Sequence, residues 1–142
     1  MAIEPPLGPS APARVVGGMG LPAVTRACLF DLDGVLPATA RLHAAAWKEM
    51  FDGYRQSRAE ETGTTWVAFD EVRDYDTYVD GKSRADGTRS FLQSRGIDLP
   101  TGDPGDRAGA LTITGLADAK NVIVTRKIRD EGVHPYPGSV RY

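Results

Sequence analysis

The chain has 142 residues, of which 41% are hydrophobic and 25% charged, with a formal net charge of -2. That length and balance suit one soluble domain around one hydrophobic core, and give no electrostatic case for nucleic acid or polyphosphate as a partner. A single cysteine, Cys28, excludes an intramolecular disulfide and a cysteine metal cluster.

Residues 1–20 carry Pro5, Pro6, Pro9 and Pro12, then Gly17, Gly18 and Gly20. Such a stretch buries too little apolar surface to offset its ordering entropy, so a disordered tail is expected. It lacks the charged start and apolar run of a secretory signal. No segment approaches the roughly 18 to 20 apolar residues that cross a bilayer. These features lead to the expectation of a cytoplasmic protein with no membrane partner.

From Val24 the character changes. Ala27, Cys28, Leu29 and Phe30 form a short apolar run, closed by Asp31-Leu32-Asp33-Gly34. A continuous apolar run ending in a Gly turn fits a central strand of a parallel sheet, and Gly34 and Pro37 punctuate it too early for a helix. Within it, Cys28 is expected as a buried, inert thiol.

Thr39 could cap the helix that follows. Leu42, Ala46, Met50 and Tyr54 recur every four residues, with His43, Trp47 and Phe51 on the adjoining flank, which predicts a helix of about four turns. A second helical stretch is expected over residues 69–79, where Phe69, Val72, Tyr75 and Val79 fall three or four apart. A third spans residues 84–95 and stops at Gly96. Residues 96–115 read as a loop rich in Gly, Pro and Asp. Residues 116–130 are ambiguous: Asn121-Val122-Ile123-Val124-Thr125 alone suits a strand, whereas Leu116, Ala119, Ile123 and Lys127 make a helical stripe that Gly132 would end. The helix is the expectation here. His134-Pro135-Tyr136-Pro137-Gly138 then reads as a stiff, extended connector.

The chemistry-bearing element is Asp31-Leu32-Asp33-Gly34-Val35, directly after the expected strand. Ligands of open α/β sheets bind beyond the carboxyl ends of strands. Two carboxylates spaced i, i+2 at such an end can both face one crevice, and Gly34 allows close backbone approach to a ligand. One carboxylate can attack phosphorus, while the other acts as general acid and then general base. A magnesium ion bound through oxygen ligands would screen them from a phosphate. The same residues also fit two surface aspartates in a strand-ending turn. A calcium loop does not fit, because Val35 stands where a third ligand belongs.

Phe30-Asp31-Leu32-Asp33-Gly34-Val35-Leu36 resembles the first signature of the haloacid dehalogenase superfamily. The resemblance extends to its β-phosphoglucomutase-like branch through His43 and Trp47 on the following helix and Gly81-Lys82-Ser83-Arg84, preceded by Tyr78-Val79-Asp80. Gly115-Leu116 with Lys120-Asn121, and the returning Tyr136-Pro137-Gly138, complete it. These elements cover residues 26–140 in the family's order. The resemblance implies an α/β fold: part of a Rossmannoid core, comprising its first strand and return segment, with an α-helical cap domain. The implied boundaries are a tail over 1–20, the first core strand and catalytic loop over 21–37, the cap over 38–131 and the return segment over 132–142.

By the same resemblance Asp31 would be the phosphoryl-accepting nucleophile and Asp33 the general acid/base. Asp31 and the backbone carbonyl of Asp33 would ligate Mg2+. Gly34, His43, Arg84 and Lys120 would contact the substrate or its phosphate, and the substrate would be a small phosphorylated sugar. On the residues alone, His43 fits equally a hydrogen-bonded histidine on a helix flank, Trp47 fits core packing, and Arg84 and Lys120 fit solvated cations. Arg89, Arg95, Arg126 and Lys127, and the acidic cluster Asp70, Glu71, Asp74 and Asp76, read as exposed faces.

Two departures stand out. Pro37-Ala38-Thr39 replaces a polar hinge that usually carries a carboxylate. The family's later signatures, a phosphate-holding Ser or Thr, a neutralising Lys and an acidic pair, come after the Tyr-Pro-Gly return. Phosphoryl transfer depends on positioning and charge stabilisation, so weak or no activity is expected from these residues alone, with complementation by the missing core half. The competing expectations are a non-catalytic binding module and a fragment of an interrupted gene.

Overall fold

The computed structural model of the protein describes residues 21, 22, 24–29 and 38–139. Their regular structure is helical apart from isolated bridge positions at Pro22 and Pro135. Three α-helices, α1 (Ala40–Thr62), α2 (Arg84–Ser94) and α3 (Ile113–Glu131), are joined by a π-helical turn (Tyr75–Val79) and loops. This is compatible with a helical cap. No helix among the described residues is long and apolar enough to cross a membrane.

The first helix follows its expected apolar face, burying Leu42, Ala46, Trp47, Met50 and Phe51. It runs for 23 residues, about six turns rather than four. Residues 55–62 contain no Gly or Pro, and Ala59 continues the buried face two turns beyond Phe51. Gly63 ends the helix with a φ of 66°, and its amide bonds the Ala59 carbonyl. Thr39 occupies the cap position, but its side chain makes no capping bond.

Helix α2 starts on a reciprocal cap. The Ser83 hydroxyl accepts from the Asp86 amide at 3.1 Å and donates to the Asp86 carboxylate at 2.7 Å. It closes before Gly96, as expected. Helix α3 starts where Thr112 accepts from the Gly115 amide at 2.9 Å while donating to Asp106 at 2.6 Å. Gly115, expected in a loop, therefore lies in the first turn of α3. A Cβ there would sit 2.6 Å from the Ala110 carbonyl oxygen, so the helix can approach its own entry loop only with glycine. The ambiguous residues 121–125 are helical, because burying Leu116, Ala117, Lys120 and Val124 along one stripe outweighs the local preference for strand.

The core is aromatic at its centre. Phe51 is fully buried, with ring centroids 4.1 Å from Phe91, 5.2 Å from Trp47 and 5.3 Å from Phe69. Val79, Leu92, Ile97, Ile113 and Leu116 close around it, so all three helices and the π turn share one cluster. The α1–α3 contact is tied at its rim by Glu49, which pairs with both Arg126 and Lys127.

Of the expected helical stretch 69–79, residues 73–79 are helical and Phe69 and Val79 are buried, but the burial of two others differs. Val72 is 70% exposed, and Asp74 turns inward at 2% exposure. The reason is a polar device that periodicity does not register. Asp70 accepts from the amides of Arg73 and Val72 and fixes a turn, while the Asp74 carboxylate takes the Asp70 amide at 3.1 Å and the Arg95 guanidinium at 2.8 Å. The Arg73 and Val72 amides hold the Asp70 carboxyl below its ordinary range. Arg95 is thus no exposed-face cation: it lies over the Phe91 ring at 4.7 Å and the Tyr78 ring at 5.5 Å. Arg126 lies on an exposed face, as expected, and pairs there with Glu49; Lys127, half-buried, also reaches Glu49, and Arg89, half-buried, pairs with Asp86.

At the other end, residues 25–29 carry no strand, Leu29 is fully exposed and Cys28 is exposed rather than buried. A strand of a parallel sheet needs neighbours to take its backbone groups, and no strand lies among the described residues to do so.

Candidate functional site

The helices enclose a cavity of about 500 Å³ between α1, α3 and the loop leading into α2. Its lining includes His43 and Trp47 from α1, Asp80, Gly81, Lys82 and Arg84 from the loop and the start of α2, and Lys120 and Asn121 from α3. Three residues singled out in the sequence, His43, Arg84 and Lys120, thus meet in one place.

Lys120 is held at the cavity wall at 3% exposure. Its Nζ lies 3.0 Å from His43 Nδ1 and 5.1 Å from the centroid of the Trp47 ring. An ammonium has donors only. With Lys120 charged, Nδ1 must accept, and the imidazole proton then sits on Nε2. The Trp47 face adds cation–π attraction to a partly desolvated charge. Trp47 is core, as expected, through its stack on Phe51, yet its other side forms cavity wall.

Arg84 stands exposed at the rim, and its guanidinium has no ion pair or hydrogen bond among the described residues. Lys82 bonds the Tyr78 carbonyl at 3.0 Å and the Ser90 hydroxyl at 2.8 Å. Gly81, at a φ of 68°, makes the turn that brings these cations to the rim. Among the described residues the lining sets Lys82, Arg84 and Lys120 against the carboxylate of Asp80, a balance that leans toward an anion. Asp80, Asn121 and Tyr75 were not among the expected site residues, although Asp80 and Asn121 stand in the motifs that carry the resemblance. The Ala38 amide donates to the His134 carbonyl at 3.0 Å, so the segments entering and leaving the helices lie side by side.

Asp31, Asp33 and Gly34 lie outside the described residues. Among those described, no three His, Cys, Asp or Glu side chains come together to hold a metal ion.

No family model matches the chain. Two curated relatives do: the β-phosphoglucomutases of Mycobacterium bovis and Mycobacterium tuberculosis, each 55% identical over 124 residues, covering 87% of this chain and 47% of the relative. Over this stretch the chain is similar to the β-phosphoglucomutase-like branch of the haloacid dehalogenase superfamily, in line with the resemblance its motifs carry. It is also 39% identical over 80 residues to an uncharacterized glycosyl hydrolase of Mycobacterium tuberculosis, covering 56% of this chain and 6% of that one. The chain spans about half the length of the β-phosphoglucomutases it matches.

Proposed function

We propose that this chain carries the nucleophile and the cap of a β-phosphoglucomutase-like enzyme acting on a small phosphorylated sugar. In this reading residues 1–20 are a tail, 21–37 the first strand and catalytic loop of a Rossmannoid core, 38–131 the cap and 132–142 the return to the core. An Asp31 oxygen attacks phosphorus, the bond to the leaving oxygen breaks as the aspartyl phosphate forms, and Asp33 protonates that oxygen. Asp33 then deprotonates the incoming hydroxyl. Gly34 lets the backbone turn close under the phosphate. The Asp31 carboxylate and the Asp33 carbonyl are hard oxygen donors of the kind that suits Mg2+, which when bound would offset the charge of the phosphate.

The observation that carries the proposal is the convergence of His43, Arg84 and Lys120 on one cationic cavity, although His43 and Lys120 stand 77 residues apart in the chain. Arg84 offers a planar fork for two phosphate oxygens, and Lys120 a point charge beside it. His43, accepting from Lys120, keeps the ammonium turned along the cavity wall. A second reading, a sugar-phosphate binding module without turnover, is favoured by His43, Arg84 and Lys120 all standing on the helical unit itself.

Two measurements test these readings. Glucose 1-phosphate titrated into the full chain should shift the NMR signals of residues 80–84 and 120–121, and Lys120→Met should weaken that binding roughly tenfold, the scale of a charged hydrogen bond. Phosphate release or glucose-phosphate interconversion with Mg2+ should appear when the second half of a mycobacterial relative is supplied as a separate chain, and vanish in Asp31→Asn. Absence of binding, or turnover that survives Asp31→Asn, would refute the proposal. Binding with no turnover in either arm selects the module.

A further inference from the structure

A second cleft, of about 170 Å³, lies where the end of α1 meets residues 64–66 and the turn after α2. It shares no lining residue with the cavity at His43 and Lys120. Three guanidinium-bearing residues, Arg55, Arg58 and Arg95, line it together with Thr64, Thr65 and Trp66.

The charges here are not balanced from within. Arg95 is committed to Asp74 at 2.8 Å. Asp52, the other carboxylate within electrostatic reach of Arg55, is committed to Lys48 at 2.9 Å. Arg55 donates to the neutral Val67 carbonyl, and the Arg58 guanidinium has no ion pair or hydrogen bond among the described residues. Two cations therefore border one small polar cleft without a carboxylate of their own. Burial, and then the like charge of Arg95, draw the Arg55 guanidinium below its ordinary value, as expected for cations facing one another. Arg95 stands at the C-cap of α2, but the α1 dipole does not account for Arg55 and Arg58, because its effect fades beyond the last turn and α1 has no basic residue there.

We infer that this cleft binds a single phosphate group, on a face of the helical unit separate from the first cavity. The volume equals that of about five or six waters at roughly 30 Å³ each, room for one phosphate with part of its hydration shell. Arg58 and Arg55 supply forked donors, and Thr65 adds a hydroxyl-bearing residue to the lining. Free inorganic phosphate and the phosphate of a small ester share this chemistry.

The test is an NMR titration of the full chain with inorganic phosphate, and in parallel with glycerol phosphate, at constant ionic strength. Saturable shifts are expected at the Thr65 and Gly96 amides and the Trp66 indole. Arg58→Gln should weaken them at least tenfold without loss of fold, while Arg84→Ala leaves them unchanged. Response to inorganic phosphate alone assigns the site to the free ion, and response to both assigns it to the phosphate group in either source. Shifts confined to residues 80–84 and 120–121, shifts matched by added chloride, or an unaltered response in Arg58→Gln would each overturn the inference. None of these outcomes depends on the fate of the first cavity.

Discussion

Replacing Asp74 by alanine probes the strongest polar contact inside the helical unit. The carboxylate is 2% exposed and takes two donors, the Arg95 guanidinium at 2.8 Å and the Asp70 amide at 3.1 Å. Removing one partner of a buried pair costs about 3–5 kcal/mol, because the other charge is left uncompensated. Here the cost is lower. The Arg95 side chain keeps 20% of its surface in solvent, and the Phe91 and Tyr78 rings partly satisfy it, which brings the expectation to about 2–3 kcal/mol. With a urea dependence of roughly 1.5–2 kcal/mol per molar, the unfolding midpoint should fall by about 1–2 M, read by far-UV circular dichroism on the full chain. Arg95→Met alone should cost a similar amount, since it leaves a carboxylate at 2% exposure with the Asp70 amide and, at 3.8 Å, the exposed Arg73 as its remaining partners. The double variant should lie closer to the native chain than the sum of the two single changes. A midpoint shift below about 0.3 M for Asp74→Ala, or strict additivity in the double variant, would refute the reasoning.

Phe51→Ala removes the ring around which Trp47, Phe69 and Phe91 stack; a loss of about 3–5 kcal/mol is expected, measured by the same urea titration. Gly115→Ala drives a methyl to within 2.6 Å of the Ala110 carbonyl oxygen, so it should cost about 1–3 kcal/mol despite alanine's better helix propensity, whereas the open position Gly53→Ala should be neutral or stabilising. Glu49 meets opposing influences: burial raises its carboxyl, and the hydrogen bonds from Arg126 and Lys127 outweigh this and lower it. A depressed folded value means that its contribution is present above the ordinary carboxylate range and is lost as pH falls through the folded value. Glu49→Gln should therefore lower stability slightly at neutral pH and flatten the acid limb of stability against pH. An unchanged limb would count against the clamp.

Much of the helical framework was legible because its signals are local. The apolar recurrence from Leu42 and the stops at Gly96 and Gly132 each depend on residues within a few positions of one another. The ambiguity at residues 121–125 had a physical origin. Val122, Ile123 and Val124 favour a strand intrinsically, and only the α1 surface, distant in sequence, makes the helical stripe worth burying. Within residues 69–79, where 73–79 are helical as expected, the burial of Val72 and Asp74 differs for a related reason. Periodicity ranks side chains by hydropathy, so it sent Val72 inward and Asp74 outward. The turn built by the Asp70 carboxylate reverses that order.

The candidate site follows the same logic in reverse. Whether a charged side chain is buried depends on a partner that no local window contains, such as Arg95 for Asp74 or His43 for Lys120. Composition and spacing left Lys120 open as a solvated cation, and only the order of motifs along the chain tied it to His43 and Arg84. A lysine at 3% exposure is a local conflict, since an apolar side chain of similar length would fill the same space without desolvating a charge. Such conflicts gather where a ligand is to be met. The contrast within α3 makes the point: Val124 is buried four residues from Lys120 with no such penalty, so the helix does not need an ammonium to pack against α1. What the ammonium adds is a positive charge fixed by His43 and Trp47 at the wall of a cavity already bordered by Arg84.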